Sequence, residues 1–324
     1  MQRWRRALSC VFALMHLDLR WWNKGVRADA QFSLGWAYYR GESVSKDWAE
    51  AVRWWTKAAQ GGHAGAQFSL GLAYRSGEGV TENAVEAVRW YREAAEQGHA
   101  PAQCNLGVAY GEGYGVAKDP VEAVRWYRKA AEQGDAPAQE ALGWVYWNGE
   151  GVPKDPVEAV PLLRKTAERG DSEAQSALGY AYWKGWGVPR DPALAVPWLR
   201  KAAEQGNAGA QHNLGCVYFK GDGVSRDLAE AVGWWTKAAE HGLPIALQAL
   251  GEAYAKGEGV KQDRESAADC YSRAGFRWAT EGQRDDALRC VERIRGLQTA
   301  SRGRLADELA AAIALSPSQP TKPN

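Results

Sequence analysis

The stretch AQCNLGVAYGEGYGVAKDPVEAVRWYRKAAEQG, residues 102–134, contains one complete folding unit. Ala102, Leu106 and Tyr110 fall at i, i+4 and i+8, the spacing that lines up an apolar stripe on a helix. The Gly113-x-Gly115-Val116 run ends that helix, because glycine enters left-handed backbone at little cost. Asp119, Pro120 and Glu122 then spell a capping box: an acidic cap, proline at the first helical position and glutamate at the third. A second helix is predicted from there to the Gly134 stop.

The unit recurs along the chain. Leu-Gly stands at 34, 70, 106, 142, 178, 214 and 250, always 36 residues apart, and a tyrosine follows each leucine by four residues, from Tyr38 to Tyr254. Glycine inside a helix costs about 1 kcal/mol relative to alanine. Seven such glycines imply a close approach of the second helix or of the next repeat, and the Ala-Ala pairs of the second helices fit the same short distance. One helix pair cannot bury its own stripe, so the pairs must stack into a solenoid.

This pattern of loop glycines, capping box and KAAEQG ending resembles the Sel-one-like repeat (SLR) family, a relative of the tetratricopeptide repeat, over residues 28–275. The resemblance implies an all-α, right-handed α-solenoid of antiparallel helix pairs with a 36-residue period. It also implies a scaffold or adaptor for other proteins and does not by itself imply catalysis; with no catalytic cluster in the sequence, a non-enzymatic protein is expected. The expected organisation is an N-terminal capping helix or degenerate half-repeat at 1–27, seven repeats over 28–275, C-terminal capping helices over 276–315 and a disordered tail at 316–324. The segment Ala7 to Met15 resembles a short signal core, but the nearest small-residue site, Ala28 to Ala30, is far behind it, and a cap is the expectation.

Composition narrows the function. The chain has 324 residues, 40 basic and 39 acidic, for a net charge of +1, so no global field gathers nucleic acid. No stretch reaches the ~18 apolar residues of a membrane span. Five cysteines form no CxxC pair and no two-per-repeat pattern, which points away from a metal cluster or disulfide ladder and toward a reducing, cytoplasmic setting, with a periplasmic or secreted one as the alternative. No cofactor is expected. His63 and His99 share an inter-repeat turn position and read as solvated turn residues. GEGYGV at 111–116 follows a helix rather than a strand, so it lacks the geometry of a nucleotide loop.

Differences between repeats carry the functional signal. At 100° per residue, Leu34 and Tyr38 point near 0° and about 40°, whereas Trp36 and Tyr39 point near 200° and about 140°, away from the stripe. The first of these two positions runs Trp36, Leu72, Val108, Trp144, Tyr180, Cys216, Glu252, and the second Tyr39, Arg75, Gly111, Trp147, Trp183, Phe219, Ala255. In related solenoids the first helices line the concave surface. By that resemblance Trp144, Trp147, Tyr180, Trp183 and Phe219 form an aromatic patch in a groove, with Asn213 and Lys220 as polar neighbours. The expected partner is a protein or peptide anchored by these rings. A cell-envelope glycan or peptidoglycan stacked on the tryptophans is the alternative, and mutual packing that stiffens the array is a third reading. Pro161 and Pro197, each sixth in a second helix, are expected to bend it.

Overall fold

A computed structural model describes residues 24–297 and 302–315; the expectations for 1–23 and 316–324 lie outside the described residues. Sixteen helices and no strand occur among the described residues. The first repeat consists of α1 (Lys24–Arg40) and α2 (Trp48–Gln60), the second of α3 (Ala64–Ser76) and α4 (Ala84–Glu96), the third of α5 (Ala100–Glu112) and α6 (Pro120–Glu132). The fourth consists of α7 (Ala136–Asn148) and α8 (Pro156–Glu168), the fifth of α9 (Ser172–Lys184) and α10 (Pro192–Glu204), the sixth of α11 (Ala208–Lys220) and α12 (Leu228–Glu240). The seventh pairs α13 (Pro244–Lys256) with the longer α14 (Arg264–Thr280), and α15 (Arg284–Gly296) and α16 (Arg302–Leu315) follow. Tandem pairs of this kind make an α-solenoid. The chain forms two compact units, residues 1–155 and 156–324, divided between the helices of the fourth repeat.

The helical glycines are explained by packing within a repeat. A Cβ on Gly107 would lie 2.7 Å from the Tyr127 ring, and one on Gly179 2.7 Å from Leu199 Cγ and 3.0 Å from the Leu199 backbone nitrogen. The second helix therefore crosses the first at the glycine, and the leucine beside it is fully buried, as at Leu106, Leu178 and Leu214. Each such leucine contributes about 2–3 kcal/mol of burial.

The second-helix caps differ from the expected box. Asp119 Oδ1 accepts from the Val121 and Glu122 amides at 3.1 and 3.0 Å, as expected of a cap. Glu122, however, turns to Arg125 at 2.9 Å instead of back to the cap. The Asp119 amide is already taken: it donates to the carbonyl of Tyr110 at 2.8 Å, and Asn83, Asp191, Asp227 and Asp263 do the same to Tyr74, Tyr182, Tyr218 and Tyr254. That bond closes the glycine loop between the two helices of a repeat. Ser43 stands where later repeats have their second loop glycine and holds the same left-handed backbone, φ 68°. In unit two a Cβ on the equivalent Gly223 would lie 2.5 Å from the Pro192 carbonyl carbon of the preceding repeat.

Two rails of hydrogen bonds tie one repeat to the next. In four repeats a buried glutamine three residues before Leu-Gly donates to the carbonyl eight residues earlier, at the end of the preceding second helix: Gln67 to Ala59 (3.3 Å), Gln103 to Ala95 (3.0 Å), Gln175 to Ala167 (3.0 Å) and Gln211 to Ala203 (3.1 Å). Its own carbonyl accepts from a glutamine 30 residues on, Gln97 onto Gln67 (2.6 Å), Gln133 onto Gln103 (2.7 Å) and Gln205 onto Gln175 (2.8 Å). The rail stops where His241 replaces that second glutamine, and Gln211 Oε1 is buried without a partner. Second-helix arginines donate to the tyrosine hydroxyls of the next repeat, Arg92 to Tyr110 (3.0 Å), Arg128 to Tyr146 (2.9 Å), and likewise Arg164 to Tyr182 and Arg200 to Tyr218.

His63 and His99 are caps, not solvated turn residues. Their Nδ1 atoms accept from the Ala66 and Ala102 amides at 3.0 and 3.3 Å, and their rings lie on Phe32 and Phe68 with centroids 4.3 and 4.9 Å apart. Asp135, Asp171 and Asn207 fill the same role in later repeats. α8 and α10 run unbroken through Pro161 and Pro197, both solvent-exposed, with the same 13 residues as their neighbours.

Candidate functional site

In unit one, Trp144 and Trp147 lie on α7 and are each partly buried. In unit two, the same two rows of the first-helix face pass through α9 and α11. Tyr180 is partly buried and meets Trp183 and Trp186 edge to face, with centroids 6.4 and 6.2 Å apart. Trp183 is only 4% exposed. Its Nε1 donates to Asp222 Oδ2 at 2.9 Å, and Arg190 binds the other oxygen of Asp222 at 3.1 Å and the Trp183 carbonyl at 3.1 Å. The hydrogen bond from Trp183 first, and then the Arg190 bond and the Arg190 and Lys220 charges, hold the Asp222 carboxyl below its usual range.

Two ammonium groups converge on the same indole. Lys184 Nζ stands 3.7 Å and Lys220 Nζ 5.4 Å from the Trp183 ring centroid. Neither meets a carboxylate within ion-pair distance among the described residues, whereas Lys256, one repeat on, lies 3.9 Å from Glu258. The end of α9 and the end of α11 thus present two ammonium groups beside the partly buried rings of Tyr180, Trp186 and Phe219. A cavity of about 250 Å3 opens there between Tyr180, Lys184, Gly185 and Trp186. Phe219 is partly buried against Trp235, centroids 5.5 Å apart, and Arg226 caps its ring at 5.6 Å. Asn213 is partly buried on α11 next to His212, and Lys220 is exposed. The structure thus brings Tyr180, Trp183, Phe219, Lys220 and Asn213 onto two neighbouring first helices.

The same helix carries a thiol–imidazole pair that sequence spacing did not reveal as a pair. Cys216 Sγ lies 3.5 Å from His212 Nε2. Burial pushes the thiol up and the imidazole down, so both are neutral at pH 7, the opposite of the thiolate–imidazolium pair a nucleophile needs. Burial likewise pushes Cys104 to about 12, Cys270 to about 11 and Cys290 to about 12.

A second aromatic cluster lies in unit one, outside the residues that sequence reading selected. Trp36, Tyr39, Trp48 and Trp55 wall a cavity of about 430 Å3 between the first and second repeats, lined also by Leu72, Arg75 and Glu78. Trp36 and Tyr39 belong to the same two rows as the selected aromatics. The signal that sets them apart is Trp48, at a helix start where the next repeat has Ala84.

The Sel1 repeat model matches residues 28–63, 64–99, 100–135, 136–171, 172–207, 208–243 and 244–275, seven copies in unbroken succession. The chain is a Sel1 repeat protein. Among solved structures it is similar to a protective antigen of uropathogenic Escherichia coli strains displaying an SLR fold, at 32% identity and TM-score 0.60, over 89% of this chain and 68% of that one. It is also similar to a Sel1 repeat protein from Oxalobacter formigenes, at 35% identity and TM-score 0.56, over 75% of this chain and 96% of that one. None of the curated proteins matches it. Sel1 repeats are commonly protein-interaction scaffolds and are generally non-catalytic. No helix of the described residues in this Sel1 repeat protein is long and apolar enough to cross a membrane.

Proposed function

We propose that this Sel1 repeat protein is a non-catalytic scaffold that binds an acidic, aromatic-containing segment of a protein partner across the ends of α9 and α11. The observation that carries the reading is the pair of lysines on Trp183. Lys184 and Lys220 stand over the Trp183 ring with no carboxylate within ion-pair distance among the described residues, and the Asp222 carboxylate is committed to Trp183 and Arg190. Tyr180, Trp186 and Phe219 offer ring edges and faces for apolar anchors, Asn213 a side-chain amide for a backbone group, and Trp183 supports the lysines from beneath. Charges of this kind at an interface rim act mainly through association rate and specificity.

The equivalent first-helix positions in unit one are Arg40, Ser76, Glu112 and Asn148, and Arg40 faces Glu42 at 3.6 Å. No two successive first helices of unit one carry lysines at this position. Selecting peptides from a random display library on the full chain tests the reading. The expected winners are rich in Asp and Glu with an aromatic residue, bind more weakly as salt rises, and lose about tenfold in affinity to the Lys184→Gln/Lys220→Gln variant, on the order of 1.4 kcal/mol. Winners without acidic bias, or with affinity unchanged by the double substitution, would overturn it.

A further inference from the structure

Repeat proteins present the same crevice several times, and one copy can show what another is shaped to hold. Between the second and third repeats the crevice is filled from within. Tyr114, in the glycine loop of the third repeat, lies with its ring 5.9 Å from the Arg75 guanidinium and packs on the cluster that contains Tyr91. The neighbouring Gly115 sits against the backbone of Ala84, at the start of α4. Tyr114 thus occupies a niche bounded by Arg75, Ala84 and Tyr91.

One repeat earlier each wall has its counterpart 36 residues back: Tyr39 for Arg75, Trp48 for Ala84 and Trp55 for Tyr91. The residue that would fill the niche, the counterpart of Tyr114, is Glu78. Glu78 is exposed and carries no ring to fill the space, and a cavity of about 430 Å3 remains beside it. Interiors are ordinarily packed to crystal density, and an aromatic-walled space of this size at the surface leaves room for a group from outside. The wall rings meet one another nearly edge to face, Trp36 to Tyr39 at 5.0 Å and 80° and Tyr39 to Trp48 at 4.6 Å and 77°. Ring faces and edges therefore both line the space, the arrangement an inserted aromatic ring prefers. Leu72, 39% exposed, offers an apolar lip.

We propose that this cavity between the first and second repeats is an anchor pocket for one aromatic side chain of a protein partner, seated as Tyr114 is seated one repeat later. The inference rests on the scaffold reading only for the partner's being a protein; the pocket itself is a separate site, within unit one. Cations already sit over the rings of two wall residues, Arg40 over Trp36 at 5.0 Å and Lys46 over Trp48 at 4.7 Å. Arg75, which also lines the cavity, is placed to stack on an inserted ring as it stacks on Tyr114.

The test uses N-acetyl-L-tyrosinamide as the probe, N-acetyl-L-leucinamide and N-acetyl-L-glutaminamide as controls, and the indole N–H signals of Trp36, Trp48 and Trp55 in the full chain as the readout. The expected result is a saturable shift of these indoles by the tyrosine derivative, at least tenfold weaker with either control. Glu78→Tyr, which supplies the missing ring from the protein's own loop, abolishes it. Trp48→Ala, which recreates the residue found at that place in the second repeat, weakens it at least fivefold. Lys184→Gln/Lys220→Gln leaves it intact, so failure of the acidic-segment reading and failure of the pocket are told apart. No indole shift, an equal shift with the leucine derivative, or shifts unaffected by both Glu78→Tyr and Trp48→Ala would overturn the proposal.

Discussion

Gly179 and Gly233 both lie inside helices of unit two, and replacing each by alanine should move stability in opposite directions. Gly233 in α12 has nothing within 4 Å of a built Cβ, so Gly233→Ala gains the helix propensity of alanine, about 1 kcal/mol. Gly179 in α9 gains the same propensity but drives its Cβ to 2.7 Å from Leu199 Cγ and 3.0 Å from the Leu199 amide nitrogen. Ordinary carbon–carbon contact is about 3.5–4.0 Å, and Leu199 is 0% exposed, so relief requires α10 to move by roughly 1 Å. Overpacking of this kind costs about 1–3 kcal/mol. Subtracting the propensity gain leaves Gly179→Ala up to about 2 kcal/mol less stable, while Gly233→Ala is about 1 kcal/mol more stable. Urea titration followed by far-ultraviolet circular dichroism compares the midpoints, and both sites belong to the same compact unit. A Gly179→Ala midpoint at or above that of the parent chain would refute the close helix crossing as the reason for the Leu-Gly pair.

Three further outcomes follow from the rails and caps. His241→Gln restores the missing amide donor to Gln211 Oε1 and should stabilise the chain by about 1 kcal/mol in the same titration, with no gain in a Gln211→Leu background. Asp119→Ala removes the acceptor for two helix-start amides and should cost about 1 kcal/mol. Burial lowers the pKa of His99, with the charge of His63 adding to it, and burial also lowers that of His212. The unfolded chain then binds more protons than the folded one as pH falls through about 6.5, so stability is full above that pH and declines below it. His99→Asn, which keeps a side-chain acceptor like the Asn207 cap, should make the urea midpoint fall less between pH 7.5 and 5.5 than it does in the parent chain.

What sequence reading could reach was whatever lies within one repeat. Period, loop glycines, acidic caps and the meaning of Leu-Gly depend on neighbours a few residues away or on one helix crossing, and Gly179 against Leu199 is of that kind. The glutamine rail was not legible, because Gln103 finds its partners at Ala95 and Gln133, in different helices, and only stacking brings them together. The histidine caps were missed for a related reason: a ring that also lies on Phe32 or Phe68 of the preceding repeat looks, in the chain alone, like a solvated turn residue. For the candidate site, helical angles placed Trp183 opposite Leu178, yet the cover over its indole comes from Asp222 and Lys220, more than 35 residues on. The pocket beside Trp48 depends on the absence of a ring at Glu78, which is visible only against Tyr114.

Hydrogen exchange on the full chain, with and without a selected acidic peptide, tests the central claim most directly. The account predicts new protection in the segments that carry the cluster, 180–187 at the end of α9 and 213–222 along α11, and loss of that protection in Lys184→Gln/Lys220→Gln. Protection on the outer faces of α10 and α12, with the ends of α9 and α11 unchanged while the peptide is bound, would contradict it.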